Sequence, residues 1–292
     1  MESGRPVTGA RRANALPAVR GSLRPQSYVP NPTCPILRAM MRLQMHPTSD
    51  RAEAVAPSPR PGALAPGLAL IFDMDGVIVD SMPVHIGVWR DYLTSLGVNP
   101  AGIENRIHGL KNDEVVLHFL GASADGQGVP EPADRQPDQY RQDHGAAKER
   151  LYRESMREQV MDRLVPGIRG FLERMRGGPM AVASNAERAN IDFILDHAGL
   201  RAFFRVTAGA SEVPRGKPAP DLFRFVAGRL GVAPRNCIVF EDSPAGVVAA
   251  RAAGMRVVGI LTHAAVLKDV DISARDFLDR ELDAWIIRQR AV

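Results

Sequence analysis

The segment Leu68-Ala-Leu-Ile-Phe72 is an unbroken apolar run that ends in two carboxylates, Asp73 and Asp75, followed at once by Gly76. Five apolar residues with no polar alternation read as a strand buried on both faces, the signature of a parallel sheet covered on each side. Side chains at i and i+2 of a strand point the same way. The spacing therefore predicts that Asp73 and Asp75 share one face where the strand runs out. Gly76 lets the backbone turn away sharply at that point. Two carboxylates held together repel, and either a divalent cation or a proton on one of them relieves the repulsion. Both arrangements belong to catalysis more often than to architecture.

From residue 67 onward, apolar runs alternate with stretches of helical period. Pro83–Leu96 carries Ile86, Trp89, Leu93 and Leu96 at helical spacing, and Asp113–Leu120 and a charged amphipathic stretch over 139–161 also read as helices. A Gly/Pro/Asp-rich loop over 121–137 separates the last two, and no strand signal appears before residue 165. Strands are then predicted at 179–183, 205–207, 237–240 and 256–260. Helices are predicted at 168–175, 189–198, 220–230 and 245–253, and a final short strand and helix over 271–289. Such repetition implies a right-handed, doubly wound parallel sheet. The expected fold is α/β: a Rossmann-like core from residues 67–81 and 166–292, with an all-helical cap inserted at 82–165.

Residues 1–66 differ in kind. They hold 11 of the 23 prolines and nine arginines against three acids (Glu2, Asp50, Glu53), so the segment carries +6 of a chain whose total is +4. The remainder is close to neutral, near −2, and shows no basic patch, so no nucleic-acid partner is expected. The segment has no hydrophobic period. It reads as a disordered extension, as translation from an upstream start with the true one near Met40, Met41 or Met45, or as an Arg-rich, acid-poor transit segment. No stretch reaches the roughly 18 continuous apolar residues of a membrane helix, so no membrane partner is expected. The two cysteines, Cys34 and Cys237, make neither a metal box nor a disulfide framework. The expected location is the cytoplasm, with organelle import through the extension as the alternative. Nothing in the sequence fixes the oligomeric state, and a monomer is the default.

Ligands of open α/β sheets sit at the carboxyl ends of the strands. The first apolar run ends in Asp73 and Asp75, the second in Ser184-Asn185, and the fourth in Glu241-Asp242-Ser243. Arg215-Gly-Lys217-Pro-Ala-Pro lies just before the 220–230 helix. Four acids, a hydroxyl, an amide and a cation thus converge on one sheet edge. That inventory suits phosphoryl transfer, which needs a cation, hydrogen-bond donors and usually Mg²⁺ around the phosphoryl oxygens. Lys217 and the Ser184/Asn185 donors can supply the first two. Asp73, Asp242 and Glu241 offer hard oxygen ligands for Mg²⁺, and a carboxylate can itself attack phosphorus. Lysine is rare here, four against 33 arginines, which singles out Lys217. Asp80, near the start of a helix, reads as a cap. Arg215 and Asp221 read as loop and cap residues.

Four motifs stand in order: Phe72-Asp-Met-Asp-Gly-Val-Ile-Val-Asp-Ser81, Ser184-Asn185, Lys217-Pro-Ala-Pro-Asp221 and Phe240-Glu-Asp-Ser-Pro-Ala-Gly246. Together they resemble the haloacid dehalogenase superfamily, specifically its β-phosphoglucomutase-like branch of small-capped phosphatases and mutases, over roughly residues 68–262. The resemblance implies that Asp73 is the nucleophile and a Mg²⁺ ligand. It implies that Asp75 moves the proton, with its backbone carbonyl on the metal. Ser184, Asn185 and Lys217 then hold the phosphoryl group, and Asp242, supported by Glu241, completes the metal site. The branch has a histidine at the place of His85 that helps gate the acid/base aspartate.

Substrate choice is expected in the cap segment His108-Gly109-Leu-Lys111-Asn112. The mutases resembled carry a lysine before this glycine and an arginine three residues after it. Here His108 and Asn112 stand in those places, with Lys111 displaced between them. The implied function is a phosphatase acting on small phosphorylated substrates, sugar phosphates among them, through an aspartyl-phosphate intermediate. A β-phosphoglucomutase-type mutase is the alternative. Dehalogenation is disfavoured by Asp75. Phosphonate cleavage needs a Schiff-base lysine for which only Lys111 is available, and a non-catalytic module is disfavoured by the complete motif set.

Overall fold

A computed structural model describes residues 64–107, 112–121, 137–264 and 266–292. The expectations for residues 1–63 and for nearly all of the 121–137 loop fall outside them. The elements are β1 (Ala69–Phe72), α1 (Met82–Ser95), α2 (Ile103–Arg106), α3 (Asn112–Leu120), α4 (Pro137–Met156), α5 (Ile168–Arg174), β2 (Met180–Ala183), α6 (Arg188–His197), β3 (Val206–Ala208), α7 (Asp221–Leu230), β4 (Cys237–Glu241), α8 (Pro244–Ala252), β5 (Arg256–Ile260), β6 (Ile272–Ala274) and α9 (Arg280–Arg288). The strands form one sheet in the order β3-β2-β1-β4-β5-β6, and every pair in it is parallel. This is the fold class expected from the sequence.

Alternate strand residues feed two cores, as strands covered on both faces must. Leu70 and Phe72 of β1, Met180 and Val182 of β2, and Ile238 and Phe240 of β4 pack with α5, α6 and α9. Ala69, Ile71, Ala181, Ala183, Cys237 and Val239 face α7 and α8 instead. The first face centres on aromatic rings. Phe72 stacks on Phe240 with centroids 4.5 Å apart, and Phe171 and Phe277 close around the pair at 5.4–6.2 Å. Such contacts add to burial through the ring quadrupoles.

Helices α1 to α3, with the start of α4, have a hydrophobic cluster of their own, built on Trp89, Leu93, Ile103, Val115 and Phe119. Its short helix α2 is not visible in the hydrophobic period. α4 stops at Met156, five residues before the predicted end. The cause lies in the backbone that follows: Asp80 N–H donates to Arg163 O (2.7 Å) and Val165 N–H to Ile78 O (3.0 Å). These bonds draw the returning chain off the helix and tie it to the segment leaving β1. Among the described residues, no helix is long and apolar enough to cross a membrane.

Phe171→Ala removes the ring that touches Phe72, Phe240 and Phe277 from a fully buried position. Its unfolding free energy in urea is expected to fall by about 3–5 kcal/mol. Val248→Ala on exposed α8 is the control, expected within about 0.5 kcal/mol of wild type.

Candidate active site

β1 and β4 are neighbours, yet the chain winds outward from them in opposite directions, so a crevice opens between their carboxyl ends. Asp73 leaves β1 and Glu241-Asp242 ends β4 at that crevice, where Asp73 N–H donates to Phe240 O (3.0 Å). Lys217, from the loop before α7, completes the junction. Its Nζ donates to Asp73 Oδ1 and to Glu241 Oε1, each at 2.5 Å. All three side chains are buried.

The other oxygen of Glu241 accepts from Asp242 N–H, Ser243 N–H and Ser243 Oγ at 3.0–3.1 Å. Glu241 therefore holds Lys217 on one side and shapes the turn into α8 on the other. Gly246 in that turn has no room for a side chain, since a Cβ would lie 1.9 Å from the Glu241 carboxyl. Asn185 was expected to face a phosphate, but its side chain instead braces the loop of Lys217. Lys217 N–H donates to Asn185 Oδ1 (2.9 Å), and Asn185 Nδ2 donates to Lys217 O (3.1 Å). Ser184 is buried beside them, its Oγ accepting from Ala186 N–H and lying 3.5 Å from Asp75 Oδ2.

The common strand face predicted for Asp73 and Asp75 is not formed. β1 ends at Phe72, and residues 74–79 close a tight loop in which Met74 O accepts from Ile78 N–H (2.8 Å) and Val79 N–H (3.1 Å). The two carboxylates consequently meet different partners. Asp73 faces Lys217, whereas Asp75 Oδ1 accepts from Ser81 Oγ (2.5 Å) and lies 3.9 Å from His85 Nε2. Gly76 sits at φ +75°, and a Cβ there would come within 1.9 Å of Asp242 Oδ2. The glycine permits both the turn and the close approach of the Asp242 carboxylate.

Burial, with the charges of Glu241 and Asp75 beside it, pushes the Asp73 carboxyl up to about 7 against the pull of Lys217. Burial and the charges of Asp73 and Glu241 push Asp242 up to about 9. Asp75 goes the other way: burial alone would raise it, but the nearby His85 ring, the Ser81 hydroxyl and the charge of Lys148 hold it below the usual carboxylate range. Lys217 is held above the ordinary lysine value, because Asp73 and Glu241 outweigh its burial. Asp73, Glu241 and Asp242 each place an oxygen within 4.8 Å of the others. A set of hard carboxylate oxygens that ionise reluctantly without a counter-charge fits a divalent cation such as Mg²⁺. Glu241 has its oxygens committed, which leaves Asp73 and Asp242 as the side chains free to ligate.

A cavity of about 990 Å³ runs from this edge under the helices after β1, with Asp73, Asp75, Lys217, His85, Lys148 and Asn112 on its walls. Lys148 and Glu149 of α4 are site residues that the sequence reading missed. Lys148 Nζ lies 2.7 Å from His85 Nδ1 and donates to Glu149 Oε1 (2.9 Å). Their signal was present: the scarcity of lysine that singles out Lys217 singles out Lys148 equally. Asn112, at the start of α3, donates to Glu149 Oε1 (2.6 Å). His108, Gly109 and Lys111 lie outside the described residues. Asp80 is no helix cap; its Oδ1 instead pairs with His263 Nε2 at 3.0 Å, because the cap position of α1 falls to Ser81. Arg215 and Asp221 pair with each other at 2.9–3.0 Å.

The haloacid dehalogenase-like hydrolase family matches residues 68–254. Fructose-1-phosphate phosphatase YqaB of Escherichia coli is 36% identical over 198 residues, covering 65% of this chain and 95% of its own. Hexitol phosphatase A of Escherichia coli is 31% identical over 206 residues, covering 69% of this chain and 88% of its own. Among solved structures, β-phosphoglucomutase from Clostridium difficile superposes with a TM-score of 0.62 at 24% identity, over 75% of this chain and 96% of that one.

The crowded acids impose a pH dependence on stability. Asp73 and Asp242 keep their protons to higher pH when folded, near 7 and 9, than at the ordinary value of 3.8. The folded form thus binds more protons than the unfolded form between about pH 4 and 9, and these two groups lower metal-free stability as pH rises. Asp242→Asn is expected to be more stable to unfolding than wild type in chelator at pH 8, by roughly 1–2 kcal/mol. The gap should close toward pH 4, and added Mg²⁺ should raise the melting temperature of wild type but not of the variant.

Proposed function

The chain belongs to the haloacid dehalogenase-like hydrolase family, and from that premise we propose that it is a Mg²⁺-dependent phosphatase of small phosphorylated metabolites, sugar phosphates in particular. The observation that carries the reading is the division of labour between two aspartates two residues apart. Asp73 is pinned by Lys217 at the crevice between β1 and β4, and on this reading it attacks phosphorus. Asp75 meets a separate set, Ser81 and His85, and on this reading it moves the proton.

Asp73 and Asp242, with the Asp75 backbone carbonyl and with Glu241 orienting, are the groups that would hold Mg²⁺. When bound, the ion offsets negative charge on the phosphoryl group and keeps Asp73 ionised. In the first step an Asp73 oxygen forms a bond to phosphorus, the ester P–O bond breaks, and the leaving alkoxide takes a proton from Asp75, whose carboxyl the negative charge of the bound phosphate lifts from its low resting value. Asp75, now ionised, then takes a proton from a water whose oxygen bonds to phosphorus as the Asp73 O–P bond breaks, which releases inorganic phosphate and the free Asp73 carboxylate. Lys217 and Ser184 donate to the phosphoryl oxygens through both steps, while the Asn185 side chain keeps Lys217 in register. The helices over the crevice act as a cap that excludes bulk water.

Asn112 favours hydrolysis over the mutase alternative. It stands where the mutases resembled carry an arginine, and its amide is committed to Glu149. The two Escherichia coli relatives, whose names specify fructose 1-phosphate and hexitols, support a sugar or sugar-alcohol phosphate as substrate.

The test is phosphate release from a panel of hexose, pentose and hexitol monophosphates with Mg²⁺, beside an isomerisation assay on β-glucose 1-phosphate with added bisphosphate. Hydrolysis is expected, abolished by excess EDTA and reduced about 10³-fold or more by Asp73→Asn. Activity that survives either treatment would falsify the mechanism. Isomerisation faster than hydrolysis would replace the phosphatase with the mutase.

A further inference from the structure

Lys148 and Glu149 are, among the described residues, the only buried charged side chains outside the strand-end cluster. Glu149 commits both oxygens. Oε1 accepts from Lys148 Nζ (2.9 Å) and Asn112 Nδ2 (2.6 Å), and Oε2 accepts from Asn190 Nδ2 (2.6 Å). Asn190 belongs to α6 beside the sheet, so the same carboxylate ties α4 to the core. Arg153 Nη1, donating to Asn190 Oδ1 (2.7 Å), holds that amide with its NH₂ toward Glu149.

Burial holds Lys148 below the ordinary lysine value, and the charge of the paired Glu149 opposes that pull. An ammonium can only donate, so the 2.7 Å contact makes His85 Nδ1 the acceptor and leaves the ring proton on Nε2. Nε2 is the nitrogen 3.9 Å from Asp75 Oδ1, which Ser81 also holds. The Tyr152 ring lies flat against His85, with centroids 4.0 Å apart and planes 2° from parallel, and keeps the imidazole from tilting. Ser81 thus claims Oδ1 of Asp75, with Nε2 facing it, and leaves Oδ2, on the Ser184 side, to exchange the proton. A neutral amine at Lys148 could donate or accept, and neither ring nitrogen of His85 would be assigned.

We propose that Glu149 is a positioning residue for proton transfer: by anchoring Lys148 against His85 Nδ1, it sets which ring nitrogen faces Asp75. The inference rests on the phosphatase reading above, in which an alkyl leaving oxygen takes the proton of Asp75 as the P–O bond breaks. An aryl leaving group such as p-nitrophenolate departs without that proton.

The experiment compares kcat/KM for a sugar phosphate from the panel and for p-nitrophenyl phosphate, since this ratio reports the step that expels the alcohol. Glu149→Gln is expected to lose about 30-fold or more on the sugar phosphate while staying within about threefold of wild type on the aryl ester. A residue that only supported the fold would lower both alike. Because Glu149→Gln strands a buried ammonium and can unfold the chain, the double variant Lys148→Gln/Glu149→Gln, which buries no charge there, is measured beside it and is expected to show the same selective loss. Equal losses on both esters, or a wild-type ratio in the double variant, would overturn the inference. A wild-type enzyme that releases phosphate from neither ester would remove the phosphatase reading, and the inference with it.

Discussion

The site depends on one ammonium held between two carboxylates. Lys217 Nζ reaches Asp73 at the end of β1 and Glu241 at the end of β4 at equal distance, and so joins the two strands between which the crevice opens. A charge this deeply buried is tolerable only if it is paired and hydrogen-bonded. Each partner is fixed in turn. Glu241 is locked by three donors from the turn into α8, and the Lys217 backbone is locked by the Asn185 amide from the end of β2. Three strand ends are thus bound into one unit around a single cation. The sheet supplies the frame on which that unit is rigid, with Phe72 and Phe240 stacked one residue before the acids.

Two glycines make the crowding possible. Gly76 and Gly246 stand where a Cβ would meet the carboxylates of Asp242 and Glu241 at 1.9 Å, so the acids approach backbone that has no side chain. The result is a cluster with more negative charge than Lys217 can balance, and Asp73 and Asp242 resist ionising as a consequence. Such a site is poorly designed for stability in isolation. It is well suited to receive positive charge, and the oxygen-only donor set says which kind.

The alternation of apolar runs and helical periods made the core legible, because strands buried on both faces leave no ambiguity of face. The strand ends were legible for the same reason: Asp73, Ser184 and Glu241-Asp242 each terminate an apolar run. What the pattern could not show was direction. The strand rule put Asp73 and Asp75 on one face, but the bonds from Met74 O curl the chain off the sheet before Asp75, and only the folded loop separates the two acids. Asp80 was read as a cap from local chemistry, while its partner, His263, arrives from beyond β5, 183 positions later. Lys148 and Glu149 sit in a stretch that reads as a solvated amphipathic helix. Periodicity sorts residues into faces, and it does not distinguish a charge facing water from one facing another charge.

The region after β1 repeats, with other residues, the arrangement at the strand ends. Lys217 is buried between carboxylates and fixes Asp73. Lys148 is buried against Glu149 and faces His85, which stands before Asp75. Each aspartate therefore has its own buried lysine, and each lysine its own glutamate, from different parts of the chain. The first set is built wholly from the sheet and its loops. The second is carried mostly on α1 and α4 and joins the core through the bond of Glu149 to Asn190. Asp73 is then as rigid as the sheet, while the His85 ring in front of Asp75 is only as well placed as those helices. On the proposed phosphatase reading, chemistry that uses both aspartates at once requires those helices to be seated over the crevice.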